Sequence, residues 1–128
     1  MNIVLDTSVF IARESGRRLA ALPDEAATAI SVITVAELRL GVLAADDPSV
    51  RASRLAALEV ATRDHLPLPV DDRVADQFAR LVAQLRMAGR NPRVVDTLIA
   101  ATALAHGAAV ATQDDDFDDL PGLTVLKV

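Results

Sequence analysis

One segment restricts the fold of this chain more than any other: Arg93–Gly107, a predicted helix with almost no polar face. From Val94 to Ala105 its sequence, VVDTLIAATALA, contains a single charged side chain, that of Asp96. A helix that is apolar on all sides is expected to be buried in the protein. Because a buried carboxylate without a partner costs several kcal/mol, the sequence predicts both a covered helix and a partner for Asp96.

Short apolar runs alternate with helical patterns along the whole chain, and this alternation is typical of an α/β fold. The chain has 128 residues, of which 52% are hydrophobic, and this size and composition suit one domain over residues 1–128. Alternating strands and helices predict a parallel sheet with helices on both faces. The predicted strands are Asn2–Asp6, Ala27–Ile33, Leu66–Val70, Ala108–Thr112 and a closing segment, LTVLKV.

Individual residues also predict the positions of a helix, a connecting segment and an edge strand. A helix is predicted to follow the second strand from Thr34, with Glu37 in its first turn and Gly41 interrupting it. The segment ESGRRLAALPDEA is expected to connect the first helix to the second strand, either as a loop or with a short helix that ends before Pro23. Leu66–Val70 contains Pro67 and Pro69 and is therefore expected near an edge of the sheet.

Composition excludes several classes of function. The net charge of −5 argues against a protein that holds nucleic acid through its overall electrostatic field. The absence of Cys excludes disulfides, thiolate catalysis and Cys-ligated zinc. No basic leader precedes Asp6, and the most apolar window, Val94–Thr112, contains Asp96 and His106, so neither a signal peptide nor a membrane span is predicted. We therefore expect a cytoplasmic protein.

Four acids occupy equivalent positions relative to the predicted strands. Asp6 closes the first strand and Glu37 follows the second. Asp96 lies near the start of its helix, and Asp114 comes two residues after the fourth strand. Ligands of open parallel sheets gather at the carboxyl ends of the strands. We therefore expect these four carboxylates to meet at one edge of the sheet.

Each acid also has a purely structural interpretation. Asp6 could cap the first helix, and Glu37 could complete a capping box with Thr34. Asp96 could favour the positive end of its helix dipole, and Asp114 could belong to a solvated acidic turn. These alternatives stay open for each residue alone, but four independent caps and turns have no reason to share one edge of one sheet.

The chemistry of these four acids points to a divalent metal ion. Carboxylate oxygens without His or Cys suit hard cations, Mg²⁺ or Mn²⁺ rather than Zn²⁺. An ion held by carboxylates activates water against a phosphodiester bond. The sequence has no glycine-rich phosphate loop, and Ser8 has no His and Asp spaced as in acyl-transfer enzymes. Metal-dependent phosphodiester hydrolysis is therefore the favoured reaction.

Four sequence motifs carry a resemblance to a known family. They are IVLDTSVFIA at the start, ISVITVAELRLG in the first third, and VVDTLIAATALAHG and VATQDDDF near the end. In this order they resemble the PIN-domain ribonucleases, and more narrowly the VapC-type toxins of bacterial toxin–antitoxin pairs. The resemblance extends over nearly the whole chain. It implies a three-layer sandwich, in which a parallel sheet of four or five strands has helices on both faces.

The resemblance also implies roles for individual residues. The acidic metal-binding residues of the family match Asp6, Glu37, Asp96 and Asp114. A further acid, which supports a second metal position in the family, matches Asp116. The small hydroxyl residues that orient the carboxylates match Thr7, Ser8 and Thr112.

The implied activity is the Mg²⁺- or Mn²⁺-dependent endonucleolytic cleavage of RNA. Members of the family commonly form homodimers and are inhibited by a small antitoxin whose C-terminal tail covers the acidic site. One alternative stays open, a PIN-fold RNA-binding or scaffold module that keeps the acids without catalysis. Arg86, Arg90 and Arg93 precede the Asp96 helix, where they could contact RNA phosphates or belong to the ordinary solvated surface.

Overall fold

The chain folds into five strands and five α-helices in a computed structural model that describes residues 1–128, with two consecutive helices both before and after the third strand. The strands are β1 (Asn2–Leu5), β2 (Ala27–Ser31), β3 (Pro67–Leu68), β4 (Ala109–Thr112) and β5 (Val125–Lys127). The helices are α1 (Thr7–Glu14), α2 (Val32–Leu43), α3 (Pro48–Asp64), α4 (Asp72–Met87) and α5 (Val94–Ala105), with a short 3₁₀ helix at Asp115–Phe117. The strands pair in parallel in one sheet of order β3-β2-β1-β4-β5.

The side chains of β1 alternate between the two faces of this sheet. Ile3 and Leu5 pack in a cluster with residues of α1, α2 and α3, whereas Val4 packs in a cluster with residues of α4 and α5. Each of the three side chains is 1% exposed, as expected for a central strand that is covered on both faces. Helices therefore lie on both faces of a parallel sheet, and the predicted three-layer α/β fold is confirmed.

The pairing of β1 with β4 brings the carboxyl ends of the two central strands together. Leu5 is in register with Ala111, and the Asp6 amide donates to the Ala111 carbonyl at 2.9 Å. Because Asp6 follows β1 directly and Thr112 ends β4, these two residues lie side by side at the same edge of the sheet. This edge carries the candidate site.

The apolar helix predicted from the sequence is α5, and most of it is buried. Residues 99–103 have no exposure to solvent. The helix ends at Ala105, and Gly107 follows its cap with a φ of 60°, a conformation that side chains disfavour. The first turn is more open, since Val94 is 57% exposed. The prediction of a covered helix is therefore confirmed for the turns beyond the first.

The structure corrects the predicted start of α2. β2 ends at Ser31, whose hydroxyl accepts a hydrogen bond from the Ile33 amide at 3.1 Å and caps the helix. The helix therefore begins at Val32 rather than at Thr34, and Glu37 lies in its second turn rather than in its first. The capping box considered for Thr34 and Glu37 does not form.

Gly41 does not interrupt α2, contrary to the prediction. The helix continues to Leu43, and the Gly41 carbonyl accepts a hydrogen bond from Arg54 of α3 at 2.7 Å. Glycine lowers helix propensity by about 1 kcal/mol relative to Ala. Packing against a neighbouring helix outweighs a cost of this size, because tertiary contacts supply most of the stability of helices in proteins.

The remaining differences from the predicted pattern lie in loops and at the sheet edge. β3 is shorter than predicted and comprises only Pro67–Leu68, but it is an edge strand, as its prolines indicate. Residues 15–26 form a loop without a helix. The acidic segment after β4, predicted as a loop, contains the 3₁₀ helix. None of the five α-helices combines the length and the apolar character needed to cross a bilayer.

This packing predicts very different costs for two leucine substitutions. Leu81 of α4 is 2% exposed, so Leu81→Ala is expected to lower the free energy of unfolding by about 2–5 kcal/mol by leaving a cavity. Leu66 is 75% exposed, and Leu66→Ala is expected to change this free energy by less than about 0.5 kcal/mol. Urea unfolding followed by circular dichroism measures both. Equal losses in the two variants would contradict the assigned packing.

Candidate active site

Carboxylates from four separate segments line one cavity at the carboxyl edge of the sheet. The cavity has a volume of 190 Å³, and its acidic lining residues are Asp6, Glu37, Asp96 and Asp114. The other lining residues are Thr7, Ser8, Ile11 and Arg17. A larger cavity of 260 Å³ between α1 and α3 is lined mainly by apolar residues and includes none of these acids. The four acids expected at one edge therefore share one cavity.

Asp6 is the most buried of these acids, with 2% exposure, and neutral donors hold its carboxylate in place. Its Oδ2 accepts hydrogen bonds from the Ser8 amide at 3.3 Å and from the Thr112 hydroxyl at 3.0 Å. The first of these contacts makes Asp6 the N-cap of α1. Asp6 therefore caps α1, as the structural interpretation proposed, and it also lines the cavity.

The hydroxyls of Thr112 and Ser8 connect the end of β4 to the start of α1. The Thr112 hydroxyl donates to Asp6 and accepts from the Asp114 amide at 2.9 Å. The Ser8 hydroxyl accepts from the Gln113 amide at 3.0 Å and lies 3.2 Å from the Thr112 hydroxyl. Both side chains are buried, so water competes little for these contacts. They fix the backbone that carries Asp6 and Asp114.

Glu37 reaches the cavity from the second turn of α2 and contacts α1. The Thr7 hydroxyl donates to Glu37 Oε1 at 2.5 Å. Burial raises the pKa of Glu37 above its ordinary value, and the Thr7 hydrogen bond lowers it in part. The negative charges of Asp6 and Asp114 raise this pKa further. Glu37 is therefore coupled electrostatically to two acids of other segments.

Asp96 lies in the first turn of α5, and its side chain is 17% exposed. Burial, and next the negative charge of Asp6, raise its pKa to about 6. Arg93 lowers this pKa in part, and its Nε lies 3.1 Å from Asp96 Oδ2. Arg93 is thus the partner that the sequence requires for Asp96. The signal for this pair was their i,i+3 spacing on a helix, which places side chains side by side.

Asp114 and Asp116 both belong to the segment after β4. Burial raises the pKa of Asp114, and the charges of Asp6 and Asp116 raise it further. Asp116 lines an adjoining cavity, also of 190 Å³, which shares Asp96 with the first. Asp116 Oδ2 lies 3.3 Å from Arg93 Nη1. One guanidinium therefore contacts the carboxylates of Asp96 and Asp116.

The only lysine of the chain, Lys127, holds the segment that carries these acids. Its ammonium lies 2.8 Å from Asp115 Oδ1 and 3.0 Å from Asp118 Oδ1, and it also contacts the Asp114 carbonyl. Because these groups are exposed, each ion pair is weak on its own. Lys127 and Arg17 were not among the predicted site residues, since contacts across the fold leave no local pattern in the sequence.

The donor atoms of the cavity suit a hard divalent cation. Its acids and hydroxyls offer only oxygen, which Mg²⁺ and Mn²⁺ prefer. Mutual repulsion helps to raise the pKa values of Glu37, Asp96 and Asp114, and a cation would relieve this repulsion. As placed, no three acids already form a metal-binding group, so carboxylates would have to turn toward an ion. The residues fit a cation in chemistry and in charge.

Comparison with known proteins agrees with this geometry. The family model described as PIN domain matches residues 3–123. The chain belongs to the PIN-domain family. Every acid that lines the two cavities falls within the matched residues. The resemblance that the four sequence motifs carry is therefore confirmed.

Relatives of this PIN domain include proteins named as ribonucleases. It is 51% identical to Ribonuclease VapC5 of Mycobacterium tuberculosis, over 98% of this chain and 92% of the relative. It is 43% identical to Ribonuclease VapC4 of the same organism, over 96% of this chain and 94% of the relative. A similar solved structure is the crystal structure of VapBC-5 from M. tuberculosis, a member of the VapBC family of toxin–antitoxin systems. It matches this chain with a TM-score of 0.88 and 46% identity, over 99% of this chain and 98% of that chain.

The raised pKa of Asp96 predicts that the metal-free protein loses stability as pH rises. The pKa is about 6 in the folded state, above the ordinary value of 3.8. Between these values the folded state keeps a proton that the unfolded state releases, so the free energy of unfolding falls with rising pH across this window. Asp96→Asn removes the titrating carboxyl group and therefore this pH-dependent loss of stability. We expect it to raise the Tm more at about pH 7.5 than at about pH 4.

Mg²⁺ provides a complementary measurement on the same variant. An ion shared by the cavity acids stabilises the folded state by mass action, so MgCl₂ should raise the Tm of the wild type more than that of Asp96→Asn. Asp72→Asn alters an exposed first-turn aspartate of α4 and serves as the control. It should respond as the wild type does. An equal response of the wild type and Asp96→Asn would count against a shared ion.

Proposed function

We propose that this PIN domain is an endoribonuclease toxin of a type II toxin–antitoxin system, which hydrolyses RNA phosphodiester bonds with a carboxylate-bound divalent ion. The observation that carries this proposal is the convergence of four acids from separate segments on one cavity. Its 51% identity to a relative named Ribonuclease VapC5 supports the proposal. A fold gains nothing from bringing repelling carboxylates together, so their convergence favours a function that needs them.

The proposed cofactor is Mg²⁺ or Mn²⁺. Ribonucleases of the PIN-domain family use a divalent metal ion, and the oxygen donors of this cavity favour these two. The residues that would hold the ion are Asp6, Glu37, Asp96 and Asp114. Asp116 would support a second position beside Asp96. When bound, such an ion lowers the pKa of a water molecule and stabilises negative charge on a phosphate.

The protein itself would contribute the orientation of the carboxylates. Both donors to Asp6, the Ser8 amide and the Thr112 hydroxyl, contact Oδ2 and leave Oδ1 without a hydrogen bond. Since no fully buried side-chain oxygen or nitrogen lacks a partner, Oδ1 keeps a small exposure, and Asp6 lines the cavity. This oxygen is therefore available to a cation. Thr7 orients Glu37 in the same manner, through one carboxylate oxygen.

RNA would have to approach an acidic site on a protein of net charge −5. Three arginines supply local positive charge, Arg17 in the wall of the first cavity and Arg90 and Arg93 in the wall of the second. Guanidinium groups pair with phosphates through two parallel hydrogen bonds. We therefore expect contacts at these arginines, rather than the overall field, to bind the substrate.

We further propose that the chain acts as a homodimer with a small antitoxin protein as its partner. The similar structure of VapBC-5 belongs to a family of toxin–antitoxin systems, which supports a partner of this kind. An arginine in the tail of an antitoxin could neutralise the cavity acids much as a metal ion does. The proposed location is the cytoplasm, where both RNA and such a partner occur.

The proposal predicts cleavage of RNA that depends on both metal and Asp96. The purified wild type should cleave total RNA with Mg²⁺ or Mn²⁺, and EDTA should abolish cleavage. Asp96→Asn should lower the rate by about a hundredfold or more, because a catalytic ion supplies several kcal/mol of transition-state stabilisation. Gel analysis of RNA fragments measures the rates, and circular dichroism checks that the variant is folded.

Asp72→Asn is the matched control, because it neutralises a first-turn aspartate outside both cavities. It should cleave RNA at the wild-type rate. Wild-type rates for folded Asp96→Asn, or cleavage that EDTA leaves unchanged, would refute the proposal. Binding of RNA by the wild type without any cleavage would favour the alternative, a PIN-fold RNA-binding or scaffold module.

A further inference from the structure

The carboxylates of the candidate site differ in what holds them. Hydroxyl and amide donors hold Asp6 and Glu37, which we call the inner half of the site. No hydroxyl or amide donates to the carboxylates of Asp96 and Asp116, which we call the outer half. Both instead contact the guanidinium of Arg93. Neutral groups therefore fix the inner half, and a positive charge holds the outer half.

Arg93 bridges the outer half with two different nitrogens, Nε at 3.1 Å from Asp96 and Nη1 at 3.3 Å from Asp116. Its backbone is anchored at the start of α5, where its carbonyl accepts from the Thr97 amide at 2.9 Å and from the Thr97 hydroxyl at 2.6 Å. Its side chain, in contrast, is 72% exposed and forms no capping hydrogen bond with the backbone amides of α5. The guanidinium can therefore leave the outer half while α5 stays intact.

A divalent ion in the outer half would need the place that Arg93 occupies. Carboxylates from two segments that face one cation are ligands of the type that Mg²⁺ takes from proteins. An ion between Asp96 and Asp116 would lie close enough to the guanidinium for strong repulsion between like charges. Because the Arg93 side chain is 72% exposed, water competes for its guanidinium and a divalent ion can displace it. The free energy needed to displace Arg93 lowers the affinity of the site for the ion.

We propose that Arg93 is a built-in cation that occupies the outer half of the site and must leave it before a divalent ion binds there. This inference rests on the proposed function, because it assigns a second metal position to Asp96 and Asp116. A phosphate of the RNA gives the released guanidinium a new partner of matching geometry. Arg93 therefore links occupation of the second metal position to the arrival of substrate.

Titration of Mn²⁺ into the RNA-free protein tests this role without any measurement of activity. The electron paramagnetic resonance signal of free Mn²⁺ reports how many ions bind and how tightly. We expect the wild type to bind one ion more tightly than a second. Arg93→Gln should tighten the second ion by about tenfold, within the range of effects that neighbouring groups have on metal affinity. Arg93→Lys retains the charge and should stay closer to the wild type.

Arg90→Gln is the matched control, since it removes a positive charge three residues away. Arg90 also lines the second cavity, but it donates to the Asp119 carbonyl at 2.8 Å and contacts none of the site carboxylates, so this control removes a nearby charge without removing a contact. It should bind Mn²⁺ as the wild type does. Equal Mn²⁺ affinities for Arg93→Gln and Arg90→Gln, or weaker binding to Arg93→Gln, would overturn the inference. Failure of the proposed function would be recognised separately, as a wild type that binds Mn²⁺ but cleaves no RNA.

The ribonuclease assay tests the second part of the inference, the transfer of Arg93 to a phosphate. Arg93→Gln should reach half of its maximal rate at a lower Mn²⁺ concentration than the wild type, but its KM for RNA should be higher. A purely structural role of Arg93 would not move these two quantities in opposite directions. An unchanged KM for RNA would overturn the transfer to phosphate.

Discussion

Repulsion among the carboxylates at one edge of the sheet is the constraint to which the surrounding structure responds. The parallel pairing of β1 with β4 fixes Asp6 beside Thr112, and the loops that follow bring in the other acids. Burial removes water that would screen these charges, and the pKa of Asp96 rises to about 6. The nearby hydroxyls, the Ser8 amide of α1 and the Arg93 guanidinium offset part of this repulsion.

These compensating contacts also suit the proposed function. Neutral donors hold Asp6 and Glu37 without occupying the cavity, so a cation can approach their free oxygens. At Asp96 and Asp116 a guanidinium already offsets part of the negative charge of the carboxylates. An arginine supplied by a partner protein would act on the acids through the same interaction. Substrate binding, metal binding and inhibition would then all depend on which cation faces the carboxylates.

The sequence predicts the sheet and the shared edge because strand–helix alternation and apolar runs repeat along the whole chain. The start of α2 could not be predicted in this way, since Ser31 and Thr34 can both cap a helix. The length of β2, which depends on its pairing with neighbouring strands, decides between them. The contact between Arg93 and Asp116 joins distant segments and leaves no periodicity, so only the three-dimensional structure reveals it.

Diffraction data collected at the manganese absorption edge, from crystals grown with Mn²⁺, would reveal directly whether acids distant in sequence meet around one ion. We predict an anomalous peak within about 2.5 Å of carboxylate oxygens from Asp6, Asp96 and Asp114, as expected for oxygen ligands of a divalent ion. Well-ordered carboxylates with no anomalous peak among them, or a peak bound only elsewhere on the protein, would contradict the shared metal site.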